Sequence, residues 1–161
     1  MLFRSGFSHV GSRLRDFDLR VCLAELLGQI GERDEQERWL AEAVTIAESQ
    51  PSMSPDRRRN LCAQQCELAL ARRDAAAVVA RLERFAAVEG DRSGGNYMVA
   101  SLYAAARGLL PAGAERDRVD GETVRWLRAA FEHREVPRAA ARQASFAFLR
   151  ERPDFQELLA Q

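Results

Sequence analysis

Arg38-Trp39-Leu40-Ala41-Glu42-Ala43-Val44 and Arg125-Trp126-Leu127-Arg128-Ala129-Ala130-Phe131 are two versions of one helical heptapeptide, and a looser copy, Ala80-Arg81-Leu82-Glu83-Arg84-Phe85-Ala86, lies between them. The copies start at 38, 80 and 125, about 42 and 45 residues apart. Paired-helix arrays repeat at that interval, because each unit buries its apolar face only by stacking on a neighbour. The expectation is an all-α chain of about three helix pairs, arranged as a right-handed α-solenoid with a short C-terminal capping helix.

Composition agrees with a folded scaffold of zero net charge. The 161 residues suffice for one compact domain with a core. Apolar residues make up 47% and charged residues 30%, with zero net charge, so neither disorder nor generic binding to a polyanion such as nucleic acid is favoured. Every basic residue is Arg and Ala is abundant, which reads as the codon bias of a GC-rich bacterial genome. The start, Met1-Leu2-Phe3-Arg4-Ser5-Gly6-Phe7, lacks an apolar stretch of signal-peptide length, and no charge-free apolar run reaches membrane-spanning length. A soluble, cytoplasmic protein with no membrane partner is expected. Three cysteines, an odd count outside any dense framework, are expected to be reduced.

Along the chain, Leu19, Cys22, Leu23, Leu26, Leu27 and Ile30 form a helical stripe ended by Gly31. Asp34 and Glu35 open the next helix, whose apolar face is Leu40, Ala43, Val44 and Ala47, and Pro51 and Pro55 close the pair. In the second pair Cys62, Cys66 and Ala69 face Val78, Leu82 and Phe85 across a turn near Arg72-Arg73-Asp74. The third carries Tyr97, Ala100, Ser101 and Ala104, then Trp126, Leu127, Ala130 and Phe131 on a helix starting either at Asp120 as N-cap or near Ala114 with Gly121 inside. The pairs fall near 17–50, 56–89 and 96–133. Pro153, Phe155, Leu158 and Leu159 mark a closing helix near 153–160. Residues 1–16, with Phe3, Phe7, Val10 and Leu14 at helical spacing, read as a separate N-terminal segment, a remnant helix ahead of a repeat domain at 17–161.

The first pair resembles a tetratricopeptide repeat in Leu23-Ala24, Leu27, Gly31, Leu40 and Ala43, with Pro51 as a late closing proline. The second departs from that pattern, with Arg73 at the turn and Phe85 where a small residue is usual. The third, from Asn96-Tyr97-Met98-Val99-Ala100-Ser101-Leu102-Tyr103-Ala104 to Arg152-Pro153-Asp154-Phe155, resembles the tetratricopeptide tails of planctomycete serine/threonine protein kinases. No glycine-rich phosphate loop, His-Arg-Asp or Asp-Phe-Gly sequence is present, so the resemblance implies the scaffold part without the enzyme.

Chemical constellations are sparse. Cys62 and Cys66 have a spacing that would put two thiolates on one metal, but no third and fourth ligand lies near, and cysteine often fills tight helix crossings as a small hydrophobe. No metal, cofactor or catalytic residue is assigned. Gly90 to Asn96 lacks the ending of a phosphate loop and reads as an inter-repeat turn. Arg57-Arg58-Arg59 reads as a solvated face ahead of an anion contact, and Trp39 and Trp126 as repeated packing residues ahead of a ligand platform.

The resemblance implies a groove lined by the first helices, with Glu25 and Gln29, then Asn60, Ala63 and Glu67, then Met98, Leu102 and Ala105 facing a protein or peptide partner. Tetratricopeptide clamps for a C-terminal carboxylate have Asn where Glu25 and Glu67 stand, and carboxylates would repel that ligand. The expected function is therefore a non-catalytic binding scaffold or adaptor. The alternatives are the detached regulatory tail of a bacterial kinase and a self-associating structural module.

Overall fold

In the computed structural model residues 6–90 and 94–160 are described, with side chains from residue 11 onward. All of their regular structure is helical: α1 (Gly6–Ile30), α2 (Arg33–Glu48), α3 (Pro55–Ala71), α4 (Ala75–Glu89), α5 (Asn96–Arg107), α6 (Ala114–Glu132), two 3-10 helices (Arg138–Arg142 and Ala144–Leu149) and α7 (Pro153–Ala160). Among the described residues no helix is long and apolar enough to cross a membrane. The chain divides into two compact units, Met1–Leu68 and Ala69–Gln161.

In the first unit α1 and α2 pack along each other. Phe17, Val21 and Ala24 of α1, Leu40 and Ala43 of α2, Met53 of the connection, and Leu61 and Leu68 of α3 form the buried cluster. Ala24 and Ala43 are fully buried, as expected of small residues where two backbones approach. Gly28 serves the same end, since a Cβ there would lie 2.5 Å from Nε2 of Gln36, a glutamine only 2% exposed. The Gln36 Oε1 accepts from Arg33 Nη1 at 3.1 Å. Arg20 bridges α1 to α2 by donating from Nε to Glu42 at 2.9 Å, and it also pairs with Asp16.

Helix α1 begins at Gly6 and runs unbroken through residue 17, and one expectation for it, the buried stripe, is corrected. Gly6 and Gly11 are tolerated in a helix this long, at a propensity cost of about 1 kcal/mol each. Phe3 lies outside the described residues, as do the side chains of Phe7 and Val10. The buried stripe is not the one read from the leucines: Leu19, Leu26 and Ile30 are 69%, 53% and 73% exposed and Cys22 is exposed, whereas Phe17, Val21 and Ala24 on the opposite side are buried. The helix is apolar on two sides, and the side carrying the aromatic ring is the one packed.

In the second unit α5 packs along α4, α6 and the second 3-10 helix. Val78, Leu82 and Phe85 of α4, Val99, Ala100 and Tyr103 of α5, and Val124, Trp126, Leu127 and Ala130 of α6 are buried, as are Phe146, Leu149, Phe155 and Leu158 of the C-terminal segment. Of the two starts weighed for α6, the structure has Ala114. Asp120 lies inside the helix, 7% exposed, and accepts from Arg107 Nε at 3.1 Å.

The ends of α1, α3 and α6 share one device. Residues Gly31, Arg73 and Arg134 have φ of 88°, 59° and 56°. The following N–H in each case reaches back five residues at 2.9 Å: Glu32 to the Leu27 carbonyl, Asp74 to Ala69, Glu135 to Ala130. This is the left-handed helix stop, in which one residue with positive φ satisfies the last carbonyls and turns the chain. Asp74 then caps α4 by accepting from the Ala77 N–H at 2.9 Å. Glu135 caps α5, accepting from the Tyr97 N–H at 3.0 Å and from Asn96 Nδ2 at 2.6 Å.

The heptad copies place Leu40, Leu82 and Leu127 at 2%, 0% and 0% exposure. Truncating any one to Ala is expected to cost roughly 2 to 5 kcal/mol in chemical denaturation, and losses under about 0.5 kcal/mol at all three would break the heptad equivalence. Arg73 is exposed and holds a backbone conformation that disfavours a Cβ, so Arg73→Gly should raise stability by roughly 0.5 kcal/mol and Arg73→Val lower it by at least as much. Thermal melts giving the reverse order would show that the left-handed turn is not formed.

Candidate functional site

The groove positions of the first unit lie on α1 and α3. Glu25 and Gln29 are one turn apart on α1 and exposed; Asn60 and Glu67 are exposed on α3 with Ala63 half-buried. Two contacts fix how these helices run. At one end Arg57 Nε and Nη2 donate to the two carboxylate oxygens of Asp18, each at 2.7 Å. Further along, Glu67 feels the negative charge of Glu25. Since 18 precedes 25 and 57 precedes 67, α1 and α3 run in the same direction, and Glu25, Gln29, Asn60, Ala63 and Glu67 belong to one strip of surface. Gln64, 6% exposed, lies on α3 within this span.

The electrostatics of the strip are uneven. The Asp18–Arg57 end is neutralised by a planar two-point pair. At the other end the Glu67 carboxyl is held above the ordinary glutamate range, chiefly by loss of solvent around it and secondarily by the like charge of Glu25. No cation is placed against either carboxylate among the described residues.

The remaining positions belong to the second unit. Met98 is half-buried and Ala105 exposed on α5, but Leu102 is 9% exposed and is a core residue, so it is withdrawn as a groove residue. The physical reason is the crowding of α5, whose circumference is shared among α4, α6 and the second 3-10 helix. Burial also pushes the Tyr103 phenol well above its ordinary value, with the acidic Glu122 and Glu83 adding to the effect.

Other candidate residues have structural roles. Arg57 pairs with Asp18, Arg59 with Asp56, and Arg58 Nη1 donates to the Pro51 carbonyl at 3.4 Å, so the run is a partly exposed face whose arginines are engaged within the chain. Cys62 and Cys66 are buried while Cys22 is exposed. No group of three or more His, Cys, Asp or Glu side chains among the described residues is placed to hold a metal ion. Of the Gly90 to Asn96 turn, Asp91, Arg92 and Ser93 lie outside the described residues. Trp126 is 1% exposed, as a packing residue should be. Trp39 is half-buried, with the guanidinium groups of Arg20 and Arg38 over its ring at 5.8 and 5.3 Å. No protein-family model, curated protein or solved structure matches the chain.

The raised Glu67 value has a definite consequence for stability. The folded chain holds the Glu67 proton to higher pH than the unfolded chain, so stability falls as pH rises from the unfolded value through the folded one. Glu67→Gln should flatten that slope and leave the variant more stable than the parent at neutral pH. Urea midpoints between about pH 4 and pH 8 measure it, and a variant with an unchanged slope would show that the folded chain does not raise the Glu67 carboxyl.

Proposed function

We propose that the protein is a non-catalytic scaffold that binds a cationic and apolar segment of a protein or peptide along the α1/α3 strip. In this reading the helix pairs are tetratricopeptide-like repeats stacked as a right-handed solenoid, closed by α7. The repeated heptads and the shared left-handed helix stops are what support the stacking.

One observation carries the choice of ligand. Several acids of this chain are matched to arginines: Asp16 and Glu42 to Arg20, Asp18 to Arg57, Asp56 to Arg59, Asp120 to Arg107, Glu83 and Glu115 to Arg118, Asp154 to Arg152. Glu67, in contrast, has another carboxylate as its charged neighbour. A ligand Arg or Lys set between Glu25 and Glu67 removes the repulsion and favours the charged form of Glu67, so binding is stronger than at an isolated exposed acid. A C-terminal carboxylate meets the opposite field and is rejected.

A peptide of alternating Arg and Leu is the probe. Exchanging Glu25 and Glu67 together for Arg should weaken its binding by on the order of tenfold at low salt, with the difference shrinking as salt screens exposed charges. Wild-type affinity should also fall as pH drops and Glu67 takes up its proton. Equal affinity of parent and double variant in calorimetric titration removes the strip as the binding face.

A further inference from the structure

The side of α1 opposite the buried cluster carries Leu19, Leu23, Leu26 and Ile30, with Leu19, Leu26 and Ile30 more than half exposed and Leu23 half-buried. We propose that this face is covered by the same face of a second copy of the chain, the two α1 helices lying antiparallel about a two-fold axis that passes between Leu23 and Leu26.

The spacing is the first argument. Residues 19, 23, 26 and 30 follow one another at steps of four, three and four, the interval at which a helix keeps one narrow seam toward a partner helix. The series reads the same in both directions. A two-fold between Leu23 and Leu26 sets Leu19 against Ile30 of the other copy and Leu23 against its Leu26, so the surface is complementary to itself when reversed. Cys22 and Gln29, which flank the seam on one side, are uncharged.

Charge selects the antiparallel arrangement. Arg15 lies one turn before Leu19 on the same face and is exposed, while Asp16 at the edge of that face is paired with Arg20; past the other end follow Glu32 and Asp34, both exposed. Antiparallel pairing brings the basic end of one copy to the acidic end of the other twice, whereas parallel pairing sets like charges together. The chain carries no net charge, so nothing opposes the encounter at long range. The contact is isologous and closes at two copies.

Size sets the strength. A seam of about twelve residues is roughly 18 Å long, short of the ~800 Å² per partner of a standard interface, so dissociation on the order of 10–100 μM is expected. This surface lies on a different side of α1 from Glu25, and the pairing does not depend on the proposed peptide site.

Sedimentation equilibrium of the full chain from about ten-fold below to ten-fold above that range should show a monomer–dimer equilibrium. Leu26→Glu and, separately, Leu19→Glu should abolish it with the helical circular dichroism unchanged, both positions being exposed. Arg15→Glu should weaken it about threefold, because it sets acid against acid in the antiparallel pair but exchanges one like pair for another in a parallel one. Alkylation of Cys22, beside the seam, should slow as the dimer fills. A monomer at every concentration overturns the proposal, as does a dimer that survives both glutamate variants or leaves Cys22 fully reactive. A dimer indifferent to Arg15→Glu overturns the antiparallel register.

Discussion

A helix buries one stripe of side chains only against chain that returns along it, and here the return depends on single residues with positive φ. Gly31, Arg73 and Arg134 each take the left-handed conformation and let the next N–H reach back to a carbonyl five residues earlier. After Gly31, α2 comes back close enough that Gln36 fills the space left by the missing side chain of Gly28, with Ala24 and Ala43 buried at the crossing. After Arg134, the same turn delivers Glu135 to the N-terminus of α5, where its carboxylate satisfies the Tyr97 N–H and the Asn96 amide. A negative charge at that end also suits the helix dipole. Backbone reversal and helix capping are therefore one event in the second unit.

Elements whose signal is local were legible in the sequence. Leu40, Leu82 and Leu127 were found because a heptad copies its burial with its letters, and Pro55 and Pro153 stand at helix starts because proline has no N–H to lose there. The α1 face was misread for a reason inherent to periodicity: the helix presents Phe17, Val21 and Ala24 on one side and Leu19, Leu26 and Ile30 on the other, and spacing alone does not say which side meets the core. The 3-10 helices of the C-terminal segment escaped notice because a three-residue period gives no amphipathic stripe at 3.6, though it buries Phe146 and Leu149. Glu135, Asp18 and Asp120 act across 13 to 39 residues, and no local rule announces such a partner.

Within the candidate site the same distinction holds. Glu25, Gln29, Asn60 and Glu67 were found as surface positions of first helices and are exposed. Leu102 was not, because its burial depends on how many elements crowd α5, a property of the assembled unit and not of the helix. What the sequence lacked altogether was the neighbour relation between Glu25 and Glu67, two residues 42 positions apart that the packing of Phe17 and Val21 with Leu61 and Leu68 brings to one surface, alongside the Arg57–Asp18 pair.

The Arg57–Asp18 pair adds to that packing a stabilisation which, for a partly exposed pair, is of order 1 kcal/mol or less. The fork of the guanidinium meets both carboxylate oxygens, so it fixes direction as well as distance, and it does so at the end of the strip opposite the glutamates. Arginine suits this role better than lysine would, since a point charge on a flexible stem sets no relative orientation of two helices. In a chain with no lysine, that planar geometry is available to every ion pair an acid makes with a long basic side chain.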